Sequence, residues 1–493
     1  MYEEEYRRAN RNLHPSEELV ERAAAGAWRP GSKRRTFRLK VTSAVAAVLA
    51  LVLLVTGIPG LGEAPAGGPV AGTAYALARP TLPQLPAMPE EPASGGDKAW
   101  EQFSEDYETY WEAWRAFRKE SAGIDEQAGL MEALAAFSGQ SAALALSGSE
   151  NQIYSPLSLW FALAMLAETT DGESRREILD VLGAEDVQQL RAWADSLWHA
   201  LYTDDGASAL LLGSSIWLNE SVEFRQKAVD ALAEHYYASS FRVPMGQKAA
   251  DQALSDWVAE QTRGLIGGEE KVLETNSDMW MVLASTLYYK AVWTSEFRAD
   301  RTQPDTFTSA DGSQSTVDFM HKTRDANFLR REGYQAASLP TSLGEMVFVL
   351  PDEGVAPEEL LRDPEFLYRL DLYGADGISG EVQWSVPKFD VQSTLQLEDY
   401  LKTMGITAVF DEARADFSPL SGSEMWLEQA KQIARVKVDE KGVEAAAVTL
   451  MAAAGAAAPP EDPKICVMDL DRPFLFIIRQ QGVVLFAGVV QSL

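Results

Sequence analysis

The longest stretch of uncharged positions lies near the amino end. Residues 41–62, VTSAVAAVLALVLLVTGIPGLG, form a run of 22 residues without a charge. At about 1.5 Å per residue a continuous helix of that length spans roughly 33 Å, enough to cross a hydrocarbon core. The basic run Lys33-Arg34-Arg35-Thr36-Phe37-Arg38-Leu39-Lys40 precedes it, and the acidic bulk of the chain follows. That asymmetry predicts a signal-anchor helix with residues 1–40 as a cytoplasmic tail. Two other readings fit the same run. One is a buried core helix. The other is a cleaved signal, for which Ala76-Leu77-Ala78 offers a small-residue pattern, although the leader before it is long.

Beyond the run, residues 63–98 are rich in Pro, Ala and Gly and read as an extended spacer. In AWEQFSEDYETYWEAWRAFRKE, residues 99–120, the aromatic positions Trp100, Phe103, Tyr107, Tyr110, Trp111, Trp114 and Phe117 recur at three- and four-residue steps. One face of a helix is therefore apolar and is expected to pack on the domain that follows. Residues 63–126 thus join the anchor to a body that begins near 127.

From residue 127 to 493 helical and extended patterns alternate without repeats. GLMEALAAFSGQSAALALS, SPLSLWFALAMLAE, FRQKAVDALAEHYYASSF and ALSDWVAEQTRGLI read as helices, the second opened by Ser155-Pro156. MVLASTLYYKAVW, MVFVLP, VQWSVPKFDV, ARVKV, PFLFIIR and VVLFAGVV read as strands. The class is α+β.

Composition narrows the chemistry. Apolar residues are 46% of the 493, and charged residues 24%, a balance suited to a folded core. The net charge is −30, and because residues 1–40 carry 10 Lys and Arg against 6 Asp and Glu, the rest of the chain holds −34. A body that acidic repels phosphate backbones, which speaks against nucleic acid as a partner. The single cysteine, Cys466, excludes an intrachain disulfide framework and a Cys-based zinc cluster. The histidines His14, His199, His235 and His321 form no metal-binding pair motif, so no cofactor is expected.

The segment with the most specific chemistry runs from Val436 through Glu440, Gly442, Val443, Glu444, Ala445, Ala446, Ala447, Val448 and Thr449 to Met451, followed by AAAGAAAPPEDP. It begins as a strand, passes a glycine and continues with little side-chain bulk. At period two, Val443, Ala445, Ala447, Thr449 and Met451 share one uncharged face, with Glu444 on the other. Such a segment can enter the middle of a sheet, where a charge on the buried face costs heavily. An alanine-rich surface helix or linker has the same composition.

VDEKGVEAAAVT resembles the hinge signature of the serpins, and NQIYSPLSLWFALAML, residues 151–166, is similar to that family's helix-start motif. WVAEQTRGLI, LASTLYYKAVW, Leu350-Pro351, VPKFDV, ADFSPLS and DRPFLFIIR…LFAGVV follow in the family's order. The resemblance implies three β-sheets, about nine helices and an exposed reactive-centre loop before the strand that starts near Ile465. It assigns Ser155, Ser158, Ser285 and Gln432 to the shutter, with Ser285 and Gln432 standing where the family usually has Asn and His. Gln donates and accepts as His does. Lys290 and Trp293 match the breach, where the loop begins to insert.

By that resemblance the protein is a suicide-substrate inhibitor, not an enzyme. A serine, or cysteine, protease attacks the loop, and the cleaved loop inserts as a new strand before the acyl-enzyme hydrolyses. Counting from Glu440 by the family's spacing places the scissile bond at Ala456–Ala457, within Ala452–Ala458. Counting back from Arg472-Pro473-Phe474 lands near Asp462. The hinge count is preferred, because the length of the inserting strand is mechanically constrained. Small residues before the bond point to elastase- or subtilisin-like targets. The expected picture is a monomer, anchored through residues 41–62 with its domain outside the cell, or secreted if the segment is cleaved. A non-inhibitory carrier or chaperone, and a membrane sensor signalling through residues 1–40, are the alternatives.

Overall fold

The computed structural model describes residues 47–56, 75–80, 82, 85–90, 92, 97–267, 272–443 and 464–493. Among them are ten α-helices, nine of which fall between residue 127 and the carboxyl end. The seven longer ones are α1 (Asp97–Arg118), α2 (Leu130–Ala145), α3 (Pro156–Thr169), α4 (Gly172–Leu182), α5 (Val187–Leu201), α6 (Gln226–Tyr236) and α7 (Lys248–Gln261). Short helices follow at Pro357–Leu360, Phe366–Arg369 and Glu398–Met404.

The strands of the first sheet are β1 (Ala47–Thr56), β2 (Ala76–Ala78), β4 (Thr203–Asp204), β5 (Ala209–Asn219), β6 (Ala238–Val243), β7 (Met279–Val292), β13 (Phe389–Gln396), β14 (Trp426–Asp439) and β15 (Gly442–Val443). Across it run β13, then β14, then β15 and β1 in a single lane, then β7, β5, β6 and β2, with β4 on β5. The pairings are antiparallel except β5 with β6. The second sheet holds β3 (Gln152–Tyr154), β8 (Gln303–Thr308), β9 (Gln314–Arg331), β10 (Tyr334–Pro340), β11 (Glu345–Pro351), β12 (Ile378–Pro387), β16 (Ile465–Asp469), β17 (Phe474–Gln480) and β18 (Val483–Val490).

Among the described residues two sheets stand where three were expected. The long strand β9 joins the missing pair, because Phe319–Phe328 pair with β12 and Phe328–Arg331 with β10 in one continuous ladder. The sequence FRQKAVDALAEHYYASSF is also divided. Its helix stops at Tyr236, Tyr237 takes a left-handed φ of 53°, and Ala238 opens strand β6.

Helix α3 explains how the core is centred. Ser155 caps it, its hydroxyl accepting from the Ser158 amide at 3.2 Å, and Pro156 fills the first turn, where its missing N–H is no loss. Every residue from Pro156 to Thr169 is buried, so the helix has no solvent face and runs through the middle of the domain. β1, β5 and β7 of the first sheet and β18 of the second pack against it.

The amino-terminal apolar run departs most from expectation. Residues 47–56 form the central strand β1, not a membrane helix, and among the described residues no helix is long and apolar enough to cross a membrane. The physical reason lies in the pattern. A strand paired on both sides in the middle of a sheet can read as an unbroken apolar run, and so does a membrane span. Ala76-Leu77-Ala78 is the short edge strand β2 on β6. The described parts of the Pro-rich spacer lie on the body, with the Met88 amide donating to the Asp205 carbonyl at 2.8 Å and the Trp114 indole to the Pro86 carbonyl at 3.2 Å.

Candidate functional site

The candidate site is the upper end of the lane between β14 and β7, where the chain leaves β14, turns at Glu440 and re-enters as β15. Asp439 and Val438 of β14 pair with Gly442 and Val443, which pair on their other side with Val292 and Ala291 of β7. Gly442 and Val443 of the hinge are therefore already strand residues between β14 and β7. Gly442 is required by contact, since a Cβ there would overlap the Ala291 carbonyl oxygen. Val443 is completely buried.

The turn is clamped from the β7 side. Trp293 is 3% exposed, and its indole nitrogen donates to the Asp439 carbonyl at 2.9 Å. Its backbone amide donates to the Lys441 carbonyl at 2.9 Å, and the Phe297 amide to the Glu440 carbonyl at 2.8 Å. The Glu440 carboxylate accepts from Thr302 Oγ1 at 2.9 Å and lies 3.1 Å from Lys388 Nζ. Burial opposes its charge, but its backbone amide, Lys388 and Thr302 together hold the carboxyl below the usual range. Lys290, the other breach residue, sits half-buried on β7 paired with Ala209.

Lower in the same lane lies the shutter. The Ser155 amide donates to Gln432 Oε1 at 3.0 Å, and Gln432 Nε2 donates back to the Ser155 carbonyl at 3.1 Å. Ser158 Oγ donates to Ser285 Oγ at 3.1 Å. All four residues are buried, so each side-chain bond replaces one that water would have made. Gln432 fastens β14 to the start of α3 and Ser285 fastens β7 to its first turn. Between them runs β1, whose Leu51 is in register with both Gln432 and Ser285.

Glu444, Ala445, Ala446, Ala447, Thr449, Ala456 and Ala457 lie outside the described residues. The structure adds Lys388, Thr302 and Phe297 to the hinge and Ser393 to the shutter, where its hydroxyl bridges the amide (2.9 Å) and carbonyl (3.0 Å) of Ile153. Their contacts cross 52 to 240 residues of sequence, beyond the reach of any local pattern.

A family model described as Serpin (serine protease inhibitor) matches residues 135–493. The chain belongs to the serpin family. Serpin-Z2B of Triticum aestivum is 29% identical over 361 residues, covering 69% of this chain and 89% of the wheat protein. Among solved structures, the thermophilic serpin tengpin in its native state matches with a TM-score of 0.64 at 24% identity, covering 74% of this chain and 95% of tengpin. Tengpin in its latent state matches with the same TM-score at 23% identity, over 76% of this chain and 100% of that one. These structural likenesses show the serpin fold. Serpins are in general protease inhibitors and not catalysts, which fits a site made of a strand, a clamp and a lane.

Proposed function

We propose that this serpin inhibits serine proteases of elastase-like or subtilisin-like specificity by loop cleavage and insertion. The observation that carries the reading is the hinge. Gly442 and Val443 already pair with both β14 and β7, and the uncharged small residues after them suit a strand that continues downward. The bond Ala456–Ala457 is the proposed cleavage point. There is no Lys or Arg between Lys441 and Lys464, which disfavours trypsin-like targets. Incubation with an elastase should give an adduct that survives denaturing electrophoresis, and mass spectrometry of the released peptide should show an amino end at Ala457. An amino end at Pro463 or beyond, or an adduct with trypsin alone, would overturn the assignment.

Attachment to a membrane through residues 41–62, with the domain outside the cell, is a second part of the proposal, supported by the basic run before that segment. It requires β1 to leave the sheet. External protease added to intact cells should remove the domain and spare residues 1–40; protection of both would rule this topology out. One observation favours a non-inhibitory serpin instead, namely that the backbone of β1 pairs with both β7 and β14 below the hinge.

A further inference from the structure

We propose that Tyr110, Asp205, Ser208 and Ser342 are positioning residues for the hinge. They form a hydrogen-bonded relay through which helix α1 holds the end of β7 where Gly442 and Val443 are paired. The proposal rests on the reading that the cleaved loop inserts beside β7.

The end of β7 lacks a strand neighbour on one side. Its ladder with β5 stops at Lys290, opposite Ala209, whereas its pairing with β15 takes in Ala291 and Val292. Ser342, in the loop between β10 and β11, supplies what a strand there would supply. The Val292 amide donates to Ser342 Oγ at 3.2 Å, and the Ser342 amide donates to the Val292 carbonyl at 2.9 Å. Both polar backbone groups of Val292 therefore point away from Gly442 and are satisfied by one residue. The next residue, Trp293, turns its amide the other way, to the Lys441 carbonyl. This is the alternation of an antiparallel ladder, so Ser342 sets the position from which Trp293 reaches the hinge turn.

Ser342 is itself held. Its hydroxyl lies 2.6 Å from Ser208 Oγ, and Ser208 belongs to the turn between β4 and β5. Asp205 closes that turn, its Oδ1 accepting from the Ala207 amide at 3.0 Å and the Ser208 amide at 2.7 Å. Its second oxygen accepts from the Tyr110 hydroxyl at 2.8 Å, and its backbone carbonyl from the Met88 amide at 2.8 Å. Tyr110, Asp205 and Ser208 are all buried, so a lost partner is not simply replaced by water. Tyr110 and Met88 also precede residues 135–493, the part that the family model matches. The segment before the serpin domain therefore builds this support.

Insertion after cleavage races hydrolysis of the acyl-enzyme. A β7 end that frays loses the paired start at Ala291 and Val292, and more of the protein leaves the race as cleaved product.

The test uses full-length wild type, Tyr110→Phe, Ser342→Ala and Ser342→Thr. Phe keeps the ring and removes the donor to Asp205, Ala removes the hydroxyl beside Val292, and Thr retains one. Amide exchange read by mass spectrometry should be at least threefold faster in a peptide covering 288–294 for Tyr110→Phe and Ser342→Ala, with Ser342→Thr close to wild type. Peptides covering α2 and β17 should not change, whereas a merely structural loss would speed them too. With elastase, the ratio of cleaved protein to adduct should rise at least threefold in the same two variants. Unchanged exchange at 288–294 in either variant, or an equal rise across the molecule, overturns the relay. So does faster exchange at 288–294 with an unaltered ratio of cleaved protein to adduct. If wild type is cut and gives no adduct, the reading of loop insertion fails and exchange alone decides. Faster exchange at 288–294 in both variants then supports the relay as the brace of β7, and unchanged exchange overturns it.

Discussion

At Val443 and Trp293 single side chains control how the hinge enters the sheet. Val443 has no exposed surface and is flanked by Ala291 and Val438. A guanidinium at that buried position would leave water only at a cost of several kcal/mol. Val443→Arg should therefore turn inhibitor into substrate, with cleaved protein accumulating and adduct reduced more than about tenfold. Equal adduct from Val443→Arg and wild type would show that the hinge need not stay between the strands. Trp293→Phe keeps an aromatic ring but trims the buried indole and removes its donor to the Asp439 carbonyl. The expected loss is about 1–2 kcal/mol, read as a lower urea midpoint with unchanged slope. Glu440, Gly442 and Val443 were legible because their types in that order have few other uses. Their partners Lys388, Thr302 and Phe297 were not, because a lysine or threonine at a strand boundary looks the same whether it meets water or a carboxylate.

Helix α1 shows what an amphipathic stripe specifies and what it leaves open. Tyr110, Trp114 and Phe117 are buried on Trp198 and Tyr202 of α5 and its end, whereas Trp100 is 47% exposed. The three- and four-residue spacing predicted the buried stripe; which helix it meets was set by long-range packing. The contact ends in a polar cluster on Asp195. Burial works against this carboxylate, but His199, Ser121 (2.5 Å) and Tyr237 (2.6 Å) hydrogen-bond it and bring its pKa down from 3.8 to about 2. Burial likewise disfavours charge on His199, yet Asp195 and Glu120 raise it above 6.5. A depressed carboxylate stabilises the fold above pH 3.8, and that contribution is lost as pH falls toward 2. A raised imidazole contributes fully below 6.5, and its contribution is lost as pH rises through the folded value. The α1–α5 junction should hold best between those limits. Melting followed by tryptophan fluorescence should show Asp195→Asn losing less stability than wild type between pH 4 and pH 2. Identical acid slopes would remove Asp195 from the account.

For the whole molecule, the sequence pattern and the structure part company at residues 47–56, within the apolar run. The apolar run was visible at once, but its length and lack of period suit a bilayer and the centre of a covered sheet equally well. Only the pairing partners distinguish the two, and they lie far along the chain on β7 and β14. The shutter positions could be placed from the motif around Ser155, but not that Leu51 would separate Ser285 from Gln432.

A filled lane also bears on self-association. Two strands parted by an empty lane each expose a row of backbone donors and acceptors, which is an invitation to any extended segment of another molecule. The reactive loop of a second copy would meet that description. Because loop and lane are different surfaces, such contacts repeat head to tail and do not close. In this chain β1 pairs with β7 from Ala47 to Thr56 and with β14 from Val48 to Thr56, so those rows are already used. Light scattering during gentle warming should find wild type monomeric, while a chain from which residues 47–56 have been removed forms oligomers that lengthen with protein concentration. The amino-terminal strand would then protect each copy from its neighbours.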